Sequence, residues 1–327
     1  MNKMLKFNFI MLYICFFIML LNNNFLMKWI IYEFSMILMI FILNSLKNST
    51  KMISILYFTI SSISSIMFLF FMIMNNYFTL SLINSKFLMN FFLLNMFLKL
   101  SMFPFHSWMI YCYEKSSWQQ IFFLSTIMKF IPITFFCHFI NIWLNMMILL
   151  ILNSIFMSIY INMNFSLKKL FACSTSFNNI LMIFMFLLNI KQFIMFCFMY
   201  SINLYFIINI LKKSNSKLFI MFNSKNLNFI FKLWMLIYSM MPLFMSFMMK
   251  WNFLYEIMKF NNNLYYMYLL YLMFSLLLSW KYFIILKKFS FKNLIIYKKL
   301  NMNMNIFMFM WMMLFIFMFI MFNFINN

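Results

Sequence analysis

Four ionisable side chains stand in long apolar stretches of this 327-residue sequence. Lys99 lies within FFLLNMFLKLSMFPFHSW, Lys129 within FFLSTIMKFIPITFF, Lys250 closes MMPLFMSFMMKW, and Glu33 stands in KWIIYEFSMILMIF. Charge in hydrocarbon is costly, so such residues are functional candidates by default. Burial disfavours the charged form of an amine and a neighbouring carboxylate favours it. Lysines with one glutamate in series can therefore exchange protons as hydration or pairing changes, and form a candidate proton relay. The prolines, Pro104, Pro132 and Pro242, each fall within eight residues of one of these lysines. Proline removes a backbone donor and frees a carbonyl. Interrupted helices are also where transporters admit ions to the midplane.

The elements that must position these groups follow from composition. Hydrophobic residues make up 67% of the chain, aromatic residues 24% and charged residues only 9%. A soluble domain of this length cannot bury so much apolar surface, and disordered chains are polar. The fold class is an all-α polytopic membrane protein. Apolar stretches long enough to span occur at roughly 5–22, 26–45, 52–74, 87–110, 118–139, 143–162, 170–190, 193–211, 229–250, 264–285 and 304–325, about eleven transmembrane helices in one domain, 1–327. Nothing alternates as a β-barrel would. Asn22–Asn24, Asn75–Asn76 and Asn261–Asn263 fall in the gaps; without glycine, Asn is the next-best residue for left-handed turns. Close helix approach must rest on serines such as Ser61, Ser62, Ser64 and Ser65.

The sequence contains no Gly, Val, Asp or Arg, one Ala (Ala172) and three acids, Glu33, Glu114 and Glu256. The depleted types share codons that begin with G, or with CG for most arginines, and the enriched ones are written largely with A and T. The 42 methionines fit a code in which ATA also reads as Met. Together these point to a gene on an AT-rich animal mitochondrial genome, which narrows the function to membrane proteins of respiration. The 25 basic residues, all lysine, do not cluster on a soluble domain, so nucleic acid is not the expected partner. With alternating loops, about 18 fall on the side of the N-terminus, while Lys28, Lys86, Lys191 and Lys259 fall on the other. The expected topology puts the N-terminus in the matrix and the C-terminus in the intermembrane space of the mitochondrial inner membrane. Residues 8–21 resemble a signal core, but no small-residue cleavage site follows, so no cleaved leader is expected.

Blander roles are expected elsewhere. Lys28 and Lys86 are read as snorkelling to an interface, whereas Lys99 and Lys129 are too deep for that and Lys250 lies nearer a border. Glu114 and Lys115 read as a solvated loop pair, and Glu256 as interfacial. His106 and His138 lack partners at ligand spacing, so no metal is expected. His106, close behind Pro104, is structural or part of a relay. Cys15, Cys112, Cys137, Cys173 and Cys197 read as small core residues, not a cluster or disulfide frame. Without glycine there is no phosphate loop or dinucleotide fingerprint, so no cofactor is expected in this chain.

Four stretches carry a resemblance. Lys99-Leu-Ser-Met-Phe-Pro-Phe-His-Ser-Trp108 is similar to K-L-G-x-x-P-F-H-x-W. Thr126-Ile-Met-Lys-Phe-Ile-Pro132 is similar to T-W-Q-K-x-x-P. Leu167-Lys-Lys-Leu-Phe-Ala-Cys-Ser-Thr175 is similar to L-R-K-x-x-A-Y-S-S. Met241-Pro-Leu-Phe-Met-Ser-Phe-Met-Met-Lys-Trp251 is similar to P-P-x-x-G-F-x-x-K-W. Trp29 to Glu33 resembles W-x-x-x-E more weakly. In order and spacing the sequence resembles the chain 2 family of mitochondrial NADH:ubiquinone oxidoreductase, respiratory complex I, an antiporter-like membrane-arm subunit. The resemblance implies proton translocation coupled to NADH oxidation and ubiquinone reduction in other subunits, which carry the FMN and iron–sulfur clusters. It implies neighbouring membrane-arm subunits and lipids as partners, and two Pro-interrupted helices, the fourth and ninth spans. It also implies that Glu33 pairs with Lys99, that Lys129 is the central relay lysine and that Lys250 passes charge to the next subunit. Ser101 and Ser246 replace family glycines, which implies less open helix breaks. Asn178 replaces a histidine and cannot titrate, so a relay through that position is not implied here. The alternatives are a stand-alone cation/proton antiporter, against which the codon bias argues, and a ligand-gated channel, whose loops should be longer and more acidic.

Overall fold

The computed structural model describes residues 3–45, 51–78, 85–139, 144–163, 166–213, 225–239, 249–251, 253–254, 257–258 and 262–291. Within them the regular structure is helical: α1 (Lys3–Leu21), α2 (Phe25–Ser45), α3 (Lys51–Phe78), α4 (Ser85–Leu100), α5 (Ser107–Lys115), α6 (Trp118–Ser125), α7 (Ile127–Cys137), α8 (Leu144–Met163), α9 (Leu167–Leu188), α10 (Ile190–Lys213), α11 (Lys225–Tyr238) and α12 (Asn262–Phe291). Among the described residues, seven helical segments, with α6 and α7 taken together, are long and apolar enough to cross a membrane. The first eight expected spans and the one at 264–285 correspond to these helices, and the one at 229–250 does so as far as Tyr238; residues 240–248 with Pro242 and Ser246, Glu256 and the span expected at 304–325 lie outside the described residues.

Helices α7 and α9 form the interior. Every residue of α7 is buried, and it packs against α1, α2, α4, α6 and α9. α7 carries Lys129, a charge that lipid cannot solvate, so the helix is covered by its neighbours. α3 is at the other extreme, with Ile55, Phe58, Ile66 and Phe70 exposed along it, as a lipid-facing helix requires. Its inner face carries Ser61 and Ser64, and the Asn95 amide of α4 donates to the Ser64 carbonyl at 2.9 Å. That is the close approach through serine that the sequence predicts. Where α2, α3, α4 and α7 meet, aromatic rings interlock. Phe135 stacks on Tyr32 at 4.7 Å and meets Phe68 edge-on at 4.9 Å, and Phe92 meets Phe136 at 5.3 Å.

Helix ends are tied by long-range side chains. Ser117 and Gln120 form a capping box at the start of α6, and the Gln120 amide reaches across to the Leu43 carbonyl in the last turn of α2, at 2.9 Å. The Lys281 ammonium donates to the Asn162 carbonyl at the end of α8, at 2.6 Å. Lys168 donates to the Glu114 and Ser116 carbonyls at the end of α5, and Lys169 pairs with the Glu114 carboxylate at 3.3 Å. Cations at helix C-termini satisfy orphan carbonyls and oppose the negative end of the dipole. Glu114 and Lys115 are therefore the last turn of a helix rather than a loop, and Glu114 is paired. Lys168→Met should cost about 1–2 kcal/mol, the worth of a charged hydrogen bond at a partly exposed cap, read as a lower unfolding midpoint in detergent.

The structure departs from expectation in two further places. Asn22–Asn24 join α1 to α2 without a left-handed residue; among the described residues the only positive φ is at Ser101, 54°. Lys28, expected to reach an interface, is buried in the first turn of α2, in electrostatic range of His138 at the end of α7.

Candidate functional site

The site begins where α4 stops. Ser101 takes the left-handed conformation, the Ser101 N–H donates to the Leu98 carbonyl at 3.2 Å and the Met102 N–H to the Phe97 carbonyl at 2.9 Å. This bond pair, with a left-handed residue just past the helix, is a Schellman stop, a position where glycine is usual. Beyond it the peptide bond between Phe103 and Pro104 is cis, the Phe103 N–H is taken by the Asn153 side chain at 2.8 Å, and α5 resumes at Ser107. Trp108 reaches back so that its indole N–H donates to the Leu98 carbonyl at 3.2 Å. The fourth span is thus interrupted, as Pro104 predicts, but its first half ends at Leu100, ahead of the proline.

A helix that stops inside the bundle leaves a carbonyl pointing into the interior. The Leu100 carbonyl accepts from the Lys129 ammonium at 2.7 Å and from the Asn179 amide at 2.9 Å. Ser101 Oγ also donates to it and accepts from Lys129 at 2.8 Å. The Trp108 ring lies 5.5 Å from the same ammonium. Lys129 is 1% exposed. Its cation therefore sits on the negative end of the α4 dipole, in a water-poor interior where such attraction is strong.

Lys99, in the last turn of α4 and 2% exposed, points elsewhere. Its ammonium donates to the Met36 thioether at 3.0 Å, and the Tyr57 hydroxyl donates to the same sulfur at 2.8 Å. The rings of Tyr57 and Tyr32 lie 4.8 and 5.6 Å from it. Sulfur is a weak acceptor, so most of this cage is cation–π attraction. Tyr32 and Met36 are four residues apart on one face of α2, and Glu33 is one turn from Met36 on that helix. Glu33 is in electrostatic range of the Lys99 ammonium, with no direct ion-pair contact between them among the described residues, and one Glu33 carboxylate oxygen is buried without a hydrogen-bond partner.

Lys250, 3% exposed, is placed by α12. The Tyr268 hydroxyl donates to the Lys250 carbonyl at 2.9 Å and the Tyr271 ring lies 5.6 Å from its ammonium. Tyr271 in turn stacks on Phe177 of α9 at 4.8 Å. α9 thus touches both lysine neighbourhoods within one turn, through Phe177 on the Lys250 side and Asn179 on the Lys129 side. Lower on the same helix the Ser174 hydroxyl donates to the Phe171 carbonyl and is hydrogen-bonded to the Tyr238 hydroxyl at 2.8 Å, and the Tyr113 hydroxyl donates to Thr175 at 3.4 Å.

The fifth span differs from expectation. Pro132 lies inside a continuous α7; the interruption is at Thr126, with φ −107° and ψ −95°. The Ser125 and Thr126 hydroxyls both turn back to the Phe122 carbonyl, at 3.0 and 2.7 Å, competing with the backbone for it. Lys129 therefore lies in the first turn of a new helix, its N–H donating to the Thr126 carbonyl at 2.8 Å.

No family model matches the chain. It is 38% identical over 296 residues to NADH-ubiquinone oxidoreductase chain 2 of Apis mellifera ligustica, covering 87% of this chain and 85% of that one. The chain belongs to the NADH-ubiquinone oxidoreductase chain 2 family. It is, by that membership, a membrane-arm subunit of respiratory complex I. A chain in the structure of respiratory complex I from Thermus thermophilus with bound Aureothin shares the fold, with a TM-score of 0.67 at 15% identity. That match covers 81% of this chain, which spans 66% of the other's length.

Within this chain 2 member, sequence reasoning missed Met36, Tyr32 and Tyr57 around Lys99, and Asn179 beside Lys129. Tyr32 and Met36 could have been found from their i, i+4 spacing next to Glu33. Asn179 is adjacent to Asn178, the position singled out for its missing histidine. Tyr57 had no local signal, because its partners lie on other helices. His106 stacks on Phe103 and meets Tyr160 edge-on, with its Nδ1 buried and unpartnered. The five cysteines are free and buried, as expected of small core residues.

Proposed function

We propose that this chain carries protons across the mitochondrial inner membrane through Glu33, Lys99, Lys129 and Lys250. The whole chain acts as one transmembrane unit, with its N-terminus in the matrix and its C-terminus in the intermembrane space. The work is driven by NADH oxidation and ubiquinone reduction in neighbouring subunits that hold the FMN and iron–sulfur clusters, and charge leaves through Lys250 to the next membrane-arm subunit. The observation that carries this reading is the pair of buried amines at the end of the interrupted α4. Lys99 stands in its last turn and Lys129 holds its terminal carbonyl.

Lys99 has a soft cage on one side and, on the same helix as that cage, the Glu33 carboxyl with an unclaimed oxygen. An amine so placed can trade a weak sulfur acceptor for a carboxylate. That exchange changes whether the amine holds its proton. Moving one charge against the potential costs about 2.3 kcal/mol per 100 mV, which the redox reaction must supply.

The test is Glu33→Gln in the assembled complex, reconstituted in proteoliposomes. The amide keeps the shape and removes the charge, so proton translocation per complex should fall about tenfold or more, in line with loss of a proton-transfer group. NADH oxidation by an artificial acceptor at the flavin should be retained. Translocation at the unaltered rate would overturn the relay. Recovery of the chain as a free antiporter, apart from any flavin-containing assembly, would overturn its place in the complex.

A further inference from the structure

We propose that Ser101 is a positioning residue for proton transfer at Lys129, present for its hydroxyl and not merely as a stand-in for glycine. The inference rests on the relay reading above and deepens it. The left-handed conformation at Ser101 strains any residue with a Cβ, and Asn is the non-glycine residue that tolerates it best. An A- and T-biased sequence has Asn in plenty, as the runs at 22–24 and 261–263 show. The backbone conformation alone therefore does not require serine at this helix stop. What serine adds is small and specific. The site is fully buried. Its Oγ accepts from the Lys129 ammonium at 2.8 Å while donating to the Leu100 carbonyl. Lys129 is thereby held between two oxygens, one from the backbone and one from the Ser101 side chain. Hydrogen bonds to an ion are about twice as strong as neutral ones, so the hydroxyl fixes both the position of the amine and the readiness with which it holds a proton.

Two variants separate hydroxyl from backbone. Ser101→Gly removes the hydroxyl and relieves the left-handed strain; Ser101→Ala removes the hydroxyl and keeps the Cβ. Each would be assembled into the complex and reconstituted beside Lys129→Met. The expected result is the same loss in both serine variants, about tenfold or more in proton translocation per assembled complex, the scale of one charge-assisted bond. KM for NADH and quinone should be unchanged, and the pH profile of translocation should be displaced relative to the parent. A purely structural serine predicts otherwise: Ser101→Gly would assemble as well or better and pump at the parental rate with the parental profile, and Ser101→Ala would lower only the amount of complex. That outcome, with Lys129→Met inactive, overturns the proposal and leaves the relay standing. Full translocation by Lys129→Met would sink the relay reading, and the proposal with it.

Discussion

Replacing Lys129 by methionine lowers proton translocation per assembled complex by about a hundredfold, the scale expected when a proton-transfer group is lost. The substitution is chosen because the site can absorb it. Methionine is unbranched and flexible, and fills the space of a lysine stem in a buried helix. The backbone is not orphaned either: the Leu100 carbonyl retains the Asn179 amide at 2.9 Å and the Ser101 hydroxyl. Removing a buried cation also removes its desolvation cost, so stability should hold or rise. The variant thus separates chemistry from folding. Initial rates of acidification in proteoliposomes, normalised to flavin, check it. A rate within twofold of the parent would mean that Lys129 only pins the end of α4.

The largest expected effect on stability is at Phe135. Its ring is stacked on Tyr32 and set edge-on to Phe68, Phe136 and Phe139. In a membrane, helices are held by packing because lipid tails compete for apolar surface. Phe135→Ala opens a cavity at the junction of α2, α3 and α7 and should cost about 3–5 kcal/mol. Loss of assembled complex and a lower unfolding temperature in detergent would show it. Phe41, 59% exposed on α2, is the control. Its truncation is on the outside of the chain and should move the stability of the chain by no more than about 0.5 kcal/mol. Equal effects at the two positions would refute the account of the core. The damage should reach the site as well, since the Tyr32 ring that Phe135 supports is part of the Lys99 cage.

Apolar length was enough to place the helices from α1 to α12, and three buried lysines were visible as charges where charge is costly. The interruption of the fourth span was legible from Pro104, because a proline inside an apolar run has few other readings. Its exact end was not. A helix stop is normally marked by glycine, and here Ser101 fills that role without announcing it. The break at Thr126 was hidden for a similar reason: adjacent hydroxyls can disturb a helix or simply point back along it, and only packing decides. Glu33 lies in electrostatic range of Lys99, while the contacts that cage the amine come from Tyr32 and Met36 on α2 and Tyr57 on α3. Such a set, assembled from α2, α3 and α4, leaves no periodic trace. The same is true of Asn179, whose partner lies 79 residues away.

The Leu100 carbonyl oxygen has two lone pairs and three suitors: the Lys129 ammonium, the Asn179 amide and the Ser101 hydroxyl. They cannot all bond to it at full strength. If α9 draws Asn179 away, the remaining partners grip harder; if Lys129 gives up its proton, the amide tightens. One atom is therefore an arbiter, and the rigid helix that also braces the ring beside Lys250 holds one of its votes.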